Sequence, residues 1–228
     1  MSALRQLRVL LGKDLRLEWR RRARLLVVLL FGVMTLLLFS FALGPDTHAL
    51  GRASGGLLVL ALLLSSTLGL AESFRVEHDD RALEGLLLLP VEPVAVFYAK
   101  ALSNTLFLLV LGPVLAPVAL ILYAVQIDPA RLFDFALTWL LAVAGLAAPG
   151  TLYAGMTSRM RGQDVLLPLL LFPLVVPMLL AAVKSMTLVI LGDPMDQLGS
   201  WRGLLISFNV IYWSIGGILY PYVCEEGT

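Results

Sequence analysis

The residues best placed to do chemistry lie in one run: Glu77-His78-Asp79-Asp80-Arg81-Ala82-Leu83-Glu84-Gly85-Leu86-Leu87-Leu88-Leu89-Pro90. It holds four of the sixteen acidic residues, and Glu72 and Glu92 flank it. Carboxylates this dense could bind a metal, exchange a proton or face a basic protein surface. The first two uses need further ligands or a nucleophile. The second histidine, His48, is far away in sequence, and the one cysteine, Cys224, allows neither a disulfide nor a cysteine cluster. Cys224 is expected as a free thiol in a reducing compartment. Gly12-Lys13-Asp14 lacks the upstream glycine and the hydroxyl residue of a phosphate-binding loop. Neither His-Glu-x-x-His nor Gly-x-Ser-x-Gly occurs. Two uses remain for the acidic run: a docking surface for a partner that does chemistry this chain cannot do, or a solvated connector.

The surrounding composition fixes what must position that run. Of 228 residues, 59% are hydrophobic and 14% charged, and the mean hydropathy is +0.90. A soluble domain carries about 25% charged residues. The apolar residues form long blocks between charged clusters, and about 20 of them span a bilayer as a helix. The blocks do not alternate as the strands of a membrane barrel would. The expected fold class is therefore all-α and polytopic. The formal net charge of +1 points to no nucleic-acid partner.

Residues 1–24 carry Arg5, Arg8, Lys13, Arg16, Arg20, Arg21, Arg22 and Arg24 against only Asp14 and Glu18. Leu4, Leu7, Leu11 and Leu15 recur at helical spacing. This pattern fits an amphipathic helix on the membrane surface with its bases toward anionic lipid, or a plain positive-inside anchor. Arg5, Arg8, Lys13, Arg16, Arg20, Arg21 and Arg22 are the candidate anchor residues. Membrane spans are expected at 25–43, 57–74, 101–125, 133–156, 165–183 and 203–222. The first is expected to be retained rather than cleaved, because its apolar run exceeds a usual signal core. Pro113 and Pro117 predict a kink in the third span, and Pro168, Pro173 and Pro177 predict a bend in the fifth. The segment 184–202 reads as a periplasmic pair of short interfacial or re-entrant helices, with a turn at Gly192-Asp193-Pro194.

Six spans place 1–24, 75–100 and 157–164 on one side with the C-terminus. Thirteen of the seventeen lysines and arginines fall there, and only Arg52, Arg131, Lys184 and Arg202 fall on the other. The positive-inside rule makes the first side cytoplasmic. The span interiors are nearly free of charge, whereas ion-coupled carriers bury ionisable groups at mid-membrane. Energy must then come from a partner, or the protein is not a pump. Asn104 and Asn209 fit hydrogen bonds between helices, or substrate contacts. His48, in the expected outer loop, fits a loop histidine or a haem ligand. The scattered methionines fit core filler. No metal site and no bound cofactor are expected on this chain.

Written as a helix from Asp79, the acidic run gives Ala82, Leu83, Leu86 and Leu87 one apolar face. Asp79, Asp80 and Glu84 lie toward its N-terminal end, where the dipole favours acids, and Pro90 stops it. Leu83-Glu84-x-Leu86-Leu87-Leu88-x-Pro90 followed by Ala99-Lys100 resembles the permease family of cytochrome c maturation, CcmB or haem exporter protein B. Lys13-Asp14-Leu15-Arg16-Leu17-Glu18, a span ending Leu38-Phe39-Ser40-Phe41-Ala42-Leu43, and Arg161-Gly162 before Pro173 and Pro177 are similar to the same family. The resemblance covers roughly 4–183, and the region after Lys184 departs from it. It implies an ABC-2-type exporter permease fold and a multi-pass place in the bacterial inner membrane. It implies a dimer with a second copy of the chain, working with a separate ATPase, CcmA, which holds ATP and Mg. CcmC, CcmD and the haem chaperone CcmE are the further implied partners. The permease itself would be non-catalytic, coupling ATP hydrolysis to haem export or to release of the haem-loaded chaperone. The ATPase-coupling helix would lie between spans two and three, with Glu77, Asp79, Asp80, Arg81, Glu84, Leu86 and Leu87 as its candidate residues. A permease for a lipid, polysaccharide or drug, and a membrane scaffold without an ATPase, are the alternatives.

Overall fold

The computed structural model describes residues 3–20, 22–79, 92–157 and 163–225, and its regular structure there is helical. Eight α-helices follow in order: α1 Ala3–Arg20, α2 Arg22–Leu43, α3 Thr47–Asp79, α4 Pro93–Leu109, α5 Gly112–Leu122, α6 Leu132–Thr157, α7 Gln163–Leu191 and α8 Leu198–Glu225. A 3-10 turn, Pro129–Arg131, leads into α6. Six stretches are long and apolar enough to cross a membrane: Arg22–Leu43, Thr47–Glu72, Pro93–Leu122, Pro129–Thr157, Leu166–Leu191 and Leu198–Val223. The fold is all-α and polytopic, as the apolar blocks imply.

The helices pack where small residues let backbones approach, the usual means of association in lipid. α2 and α3 run antiparallel, and a Cβ on Gly32 would lie 2.7 Å from Ser65 Oγ. α3 and α7 meet at Gly55, where a Cβ would lie 2.7 Å from the backbone nitrogen of Thr187. α6 and α8 run parallel and are joined by a ladder of polar contacts. Arg202 reaches Asp134 and Thr138, Asn209 Nδ2 donates to the Leu141 carbonyl at 3.0 Å, and Trp213 Nε1 donates to the Ala144 carbonyl at 3.2 Å. Asn104 Nδ2 donates to Thr151 Oγ1 at 2.9 Å, so both asparagines join helices.

α4 meets three helices in turn. Phe97 fills the space left by Gly216 of α8, Asn104 bonds α6, and Phe107 abuts Gly69 of α3. α1 lies along α4, with Gln6 Oε1 accepting from the Glu92 N–H at 3.2 Å. The Phe97 ring also packs on Tyr220, 5.6 Å between centroids. The first helix and the last turns of α8 therefore share one end of the bundle, called here the α1 end.

Several boundaries differ from those expected. His48 and Arg52 stand on the first turns of α3, not in a loop, because Asp46 Oδ1 accepts from the N–H groups of His48 and Ala49 and caps the helix there. Lys100 is buried inside α4, which begins at Pro93 rather than at the expected span start. The break in the third span falls at Val110-Leu111, just before Pro113, whose ring clashes with the carbonyl four residues back. Pro117 is held within α5. The segment 184–202 is not a pair of short helices. Residues 184–191 continue α7, and α8 begins at Leu198. Lys184 stays exposed on the same face as Val176 and Leu180, so its charge does not end the helix. The end comes at Gly192, whose φ of +108° suits a residue without Cβ. α7 remains helical through Pro168, Pro173 and Pro177.

Candidate functional site

The inward face of α1 is set by Leu7, Leu10, Leu11, Asp14 and Glu18, a helical stripe that ends in two carboxylates. Of the leucines expected at helical spacing, Leu7 and Leu11 face inward and Leu15 is exposed. Arg5, Arg8, Val9, Arg16 and Leu17 face outward. Lys13 is partly exposed, its Nζ 3.1 Å from Asp14 Oδ1. An open cleft of about 980 Å³ runs along this helix, lined by Arg8, Val9, Gly12, Lys13, Leu15, Arg16 and Leu17. Bases beside apolar side chains on one helix suit a lipid headgroup layer.

Glu18 turns the other way, to Arg24 in the first turns of α2. The two side chains are only 17% and 10% exposed, and Arg24 Nη1 donates to Glu18 Oε1. Arg24 Nη2 donates to the Gly69 carbonyl at 2.5 Å. The guanidinium lies over the Phe107 ring, 4.3 Å from its centroid. Gly69 permits this. A Cβ there would come within 2.9 Å of the Phe107 ring, which packs directly on the α3 backbone. One planar cation thus engages a carboxylate of α1, a carbonyl of α3 and a ring of α4, a set of contacts suited to arginine and not to lysine.

At the far end, Arg202 Nη1 donates to Asp134 Oδ1 at 2.7 Å, Nη2 to the Asp134 carbonyl at 2.8 Å, and Nε to Thr138 Oγ1 at 3.3 Å. Arg131 Nη1 donates to the Leu188 carbonyl near the end of α7 at 3.2 Å. Asp193 accepts from the N–H groups of Gln197 and Leu198 and so caps α8. Those backbone hydrogen bonds hold its carboxyl below the usual range. Among the described residues no group of three or more His, Cys, Asp or Glu side chains is arranged to hold a metal ion.

Residues 5–217 match the family model described as CcmB protein. The chain belongs to the CcmB family. It is 35% identical over 177 residues to the heme exporter protein B of Rhodobacter capsulatus, a match covering 76% of this chain and 79% of that one. It is 31% identical over 195 residues to the heme exporter protein B of Escherichia coli K12, covering 85% and 87%. The Pseudomonas aeruginosa protein of the same name is 31% identical over 188 residues, covering 82% of each. Six apolar helices and membership of the CcmB family make this a multi-pass protein of the bacterial inner membrane.

In this CcmB chain, Glu77 and Asp79 stand in the last turn of α3 by their backbone. Their side chains, and Asp80, Arg81, Glu84, Leu86 and Leu87 altogether, lie outside the described residues, as does Arg21. Arg20 ends α1, its side chain also outside them, and Arg22 opens α2 and is exposed. Glu18, Arg24, Gly69 and Phe107 were not singled out as a site by the sequence. One signal points to them: the carboxylates Asp14 and Glu18 continue the apolar stripe of Leu7 and Leu11, and an acid on a buried face needs a partner.

Proposed function

We propose that this CcmB-family chain is the membrane subunit of an ABC transporter for cytochrome c maturation. A separate ATPase, CcmA, would bind ATP and Mg and dock on the acidic run between α3 and α4. Its power stroke would drive haem export or release of the haem-loaded chaperone CcmE, with CcmC and CcmD in the same assembly and two copies of this chain in the membrane. The observation that carries this reading is the alignment, over three quarters or more of the chain, with proteins named heme exporter protein B. The sequence adds that no phosphate-binding loop exists here, so hydrolysis falls to a partner. The geometry adds a route. α3 has 33 residues, about 50 Å at the helical rise and well beyond the thickness of a bilayer core, so its last turns project at the α1 end. α4 starts from the same end, against α1.

The bases of α1 would hold the helix to anionic lipid on the cytoplasmic side. Arg5, Arg8 and Arg16 face outward as this role requires. The direct test is deletion of the chain and rescue by the wild type or by an Asp79→Lys, Asp80→Lys, Glu84→Lys variant. Loss of holo-cytochrome c on deletion, and rescue by the wild type alone, is expected. Normal holo-cytochrome c in the deletion strain would turn the reading toward another substrate.

A further inference from the structure

We infer that Arg24 is a positioning residue that passes motion from the segment between α3 and α4 to the α4–α5 break; this rests on the proposed ATPase coupling. The guanidinium is bound to the two helices that flank the coupling run, α3 and α4, and to α1. Glu18 fixes it to α1, which lies along α4. The Gly69 carbonyl fixes it to α3, ten residues before that helix ends at Asp79. Phe107 fixes it to α4, three residues before the break at Val110-Leu111. A rigid helix carries a displacement of its end along its length. A shift of α3 at Asp79 therefore reaches Gly69, and Phe107 cannot stay behind, because its ring is wedged on Gly69 and under Arg24.

What lies beyond Phe107 can respond. The break at 110–111 is a joint between two helices, made by the missing N–H and the ring of Pro113. α5, past the joint, packs on α2 through Leu115 at Gly32, and Tyr123 Oη donates to the Leu36 carbonyl at 3.0 Å. Arg24 thus links the base of α2 to the end of α4 just before the joint, while α5 touches α2 higher up. Rotation at the joint changes the spacing between α5 and α2.

The test uses the full complex with its ATPase in nanodiscs. Spin labels replace Val9 on α1 and Ile121 near the end of α5, both exposed. The wild type is expected to change its label distance when ATP is bound under trapping conditions. Arg24→Gln should retain the ATPase subunit and the nucleotide-free distance but lose the change. Arg24→Lys keeps the charge but not the fork, so it should fold and lose roughly half of the change or more. Coupled output should fall about tenfold in Arg24→Gln, within the usual span of coupling between sites. A full wild-type change in both variants overturns the proposal. So does a nucleotide-free distance already altered in both, which would make Arg24 a structural brace only. A wild-type complex that hydrolyses ATP with no distance change overturns it too and leaves the proposed function standing. A wild type that binds no ATPase removes the proposed function itself.

Discussion

The two ends of the bundle use arginine differently. At the far end, Arg202 serves two neighbouring helices, and all of its partners lie in the first two turns of α6. Arg131 and Asp193 likewise close helix ends beside them. Connections there are short, as between Leu191 and Leu198. At the α1 end, Arg24 gathers α1, α3 and α4 onto α2. The far end is therefore a set of local closures. The α1 end is a junction of four helices, α1 to α4. Charge at the far end stabilises turns, and charge at the α1 end joins helices that the proposed coupling would move together.

That contrast predicts a hierarchy of substitution effects. Arg24→Leu leaves Glu18 buried without its guanidinium and should cost about 3–5 kcal/mol, read as lost thermal stability in detergent. Adding Glu18→Gln should recover much of that loss; a double variant as weak as the single would show that the charge pair is not the cause. Arg202→Ala should cost about 1.5–3 kcal/mol, toward the lower figure because the Asp134 side chain is 35% exposed and water replaces the lost partner. Losses of equal size at both ends would break the contrast. Asn209→Leu removes one rung between α6 and α8 and should cost about 0.6–1.7 kcal/mol.

The smallest effect should be at Asp193. Its folded carboxyl titrates below the usual value, so the stability it gives is present above that value and fades as pH falls through the folded one. Asp193→Ala should therefore lower the melting temperature slightly at neutral pH, and the gap from wild type should close in acid. A gap independent of pH would mean that the cap acts through something other than its charge.

The sequence displays the fold at the level of apolar blocks, because length in hydrocarbon is a local property. It hides what depends on caps and on neighbours. Residues 47–56 look like loop because they hold His48, Arg52 and three glycines, yet Asp46 caps a helix there. Lys184 looks like a span end, but an exposed lysine can extend its charge along the helix surface. The Pro113 break lies ahead of the proline, since the clash is with the preceding turn. The junction was the least legible part. Glu18 and Arg24 are six residues apart across two helices, outside the spacing of pairs within one helix. Gly69 and Phe107 sit in apolar runs where nothing marks them. The acidic run was legible as charge, and its place between α3 and α4 follows from the apolar blocks on either side.

The most direct test of ATPase coupling is retention of the ATPase subunit by this chain, purified from cells that express both. Wild type should hold it through gel filtration in nanodiscs, and the variant with Asp79→Lys, Asp80→Lys and Glu84→Lys should lose it while keeping its own melting temperature. Equal retention by both proteins would contradict docking on the acidic run.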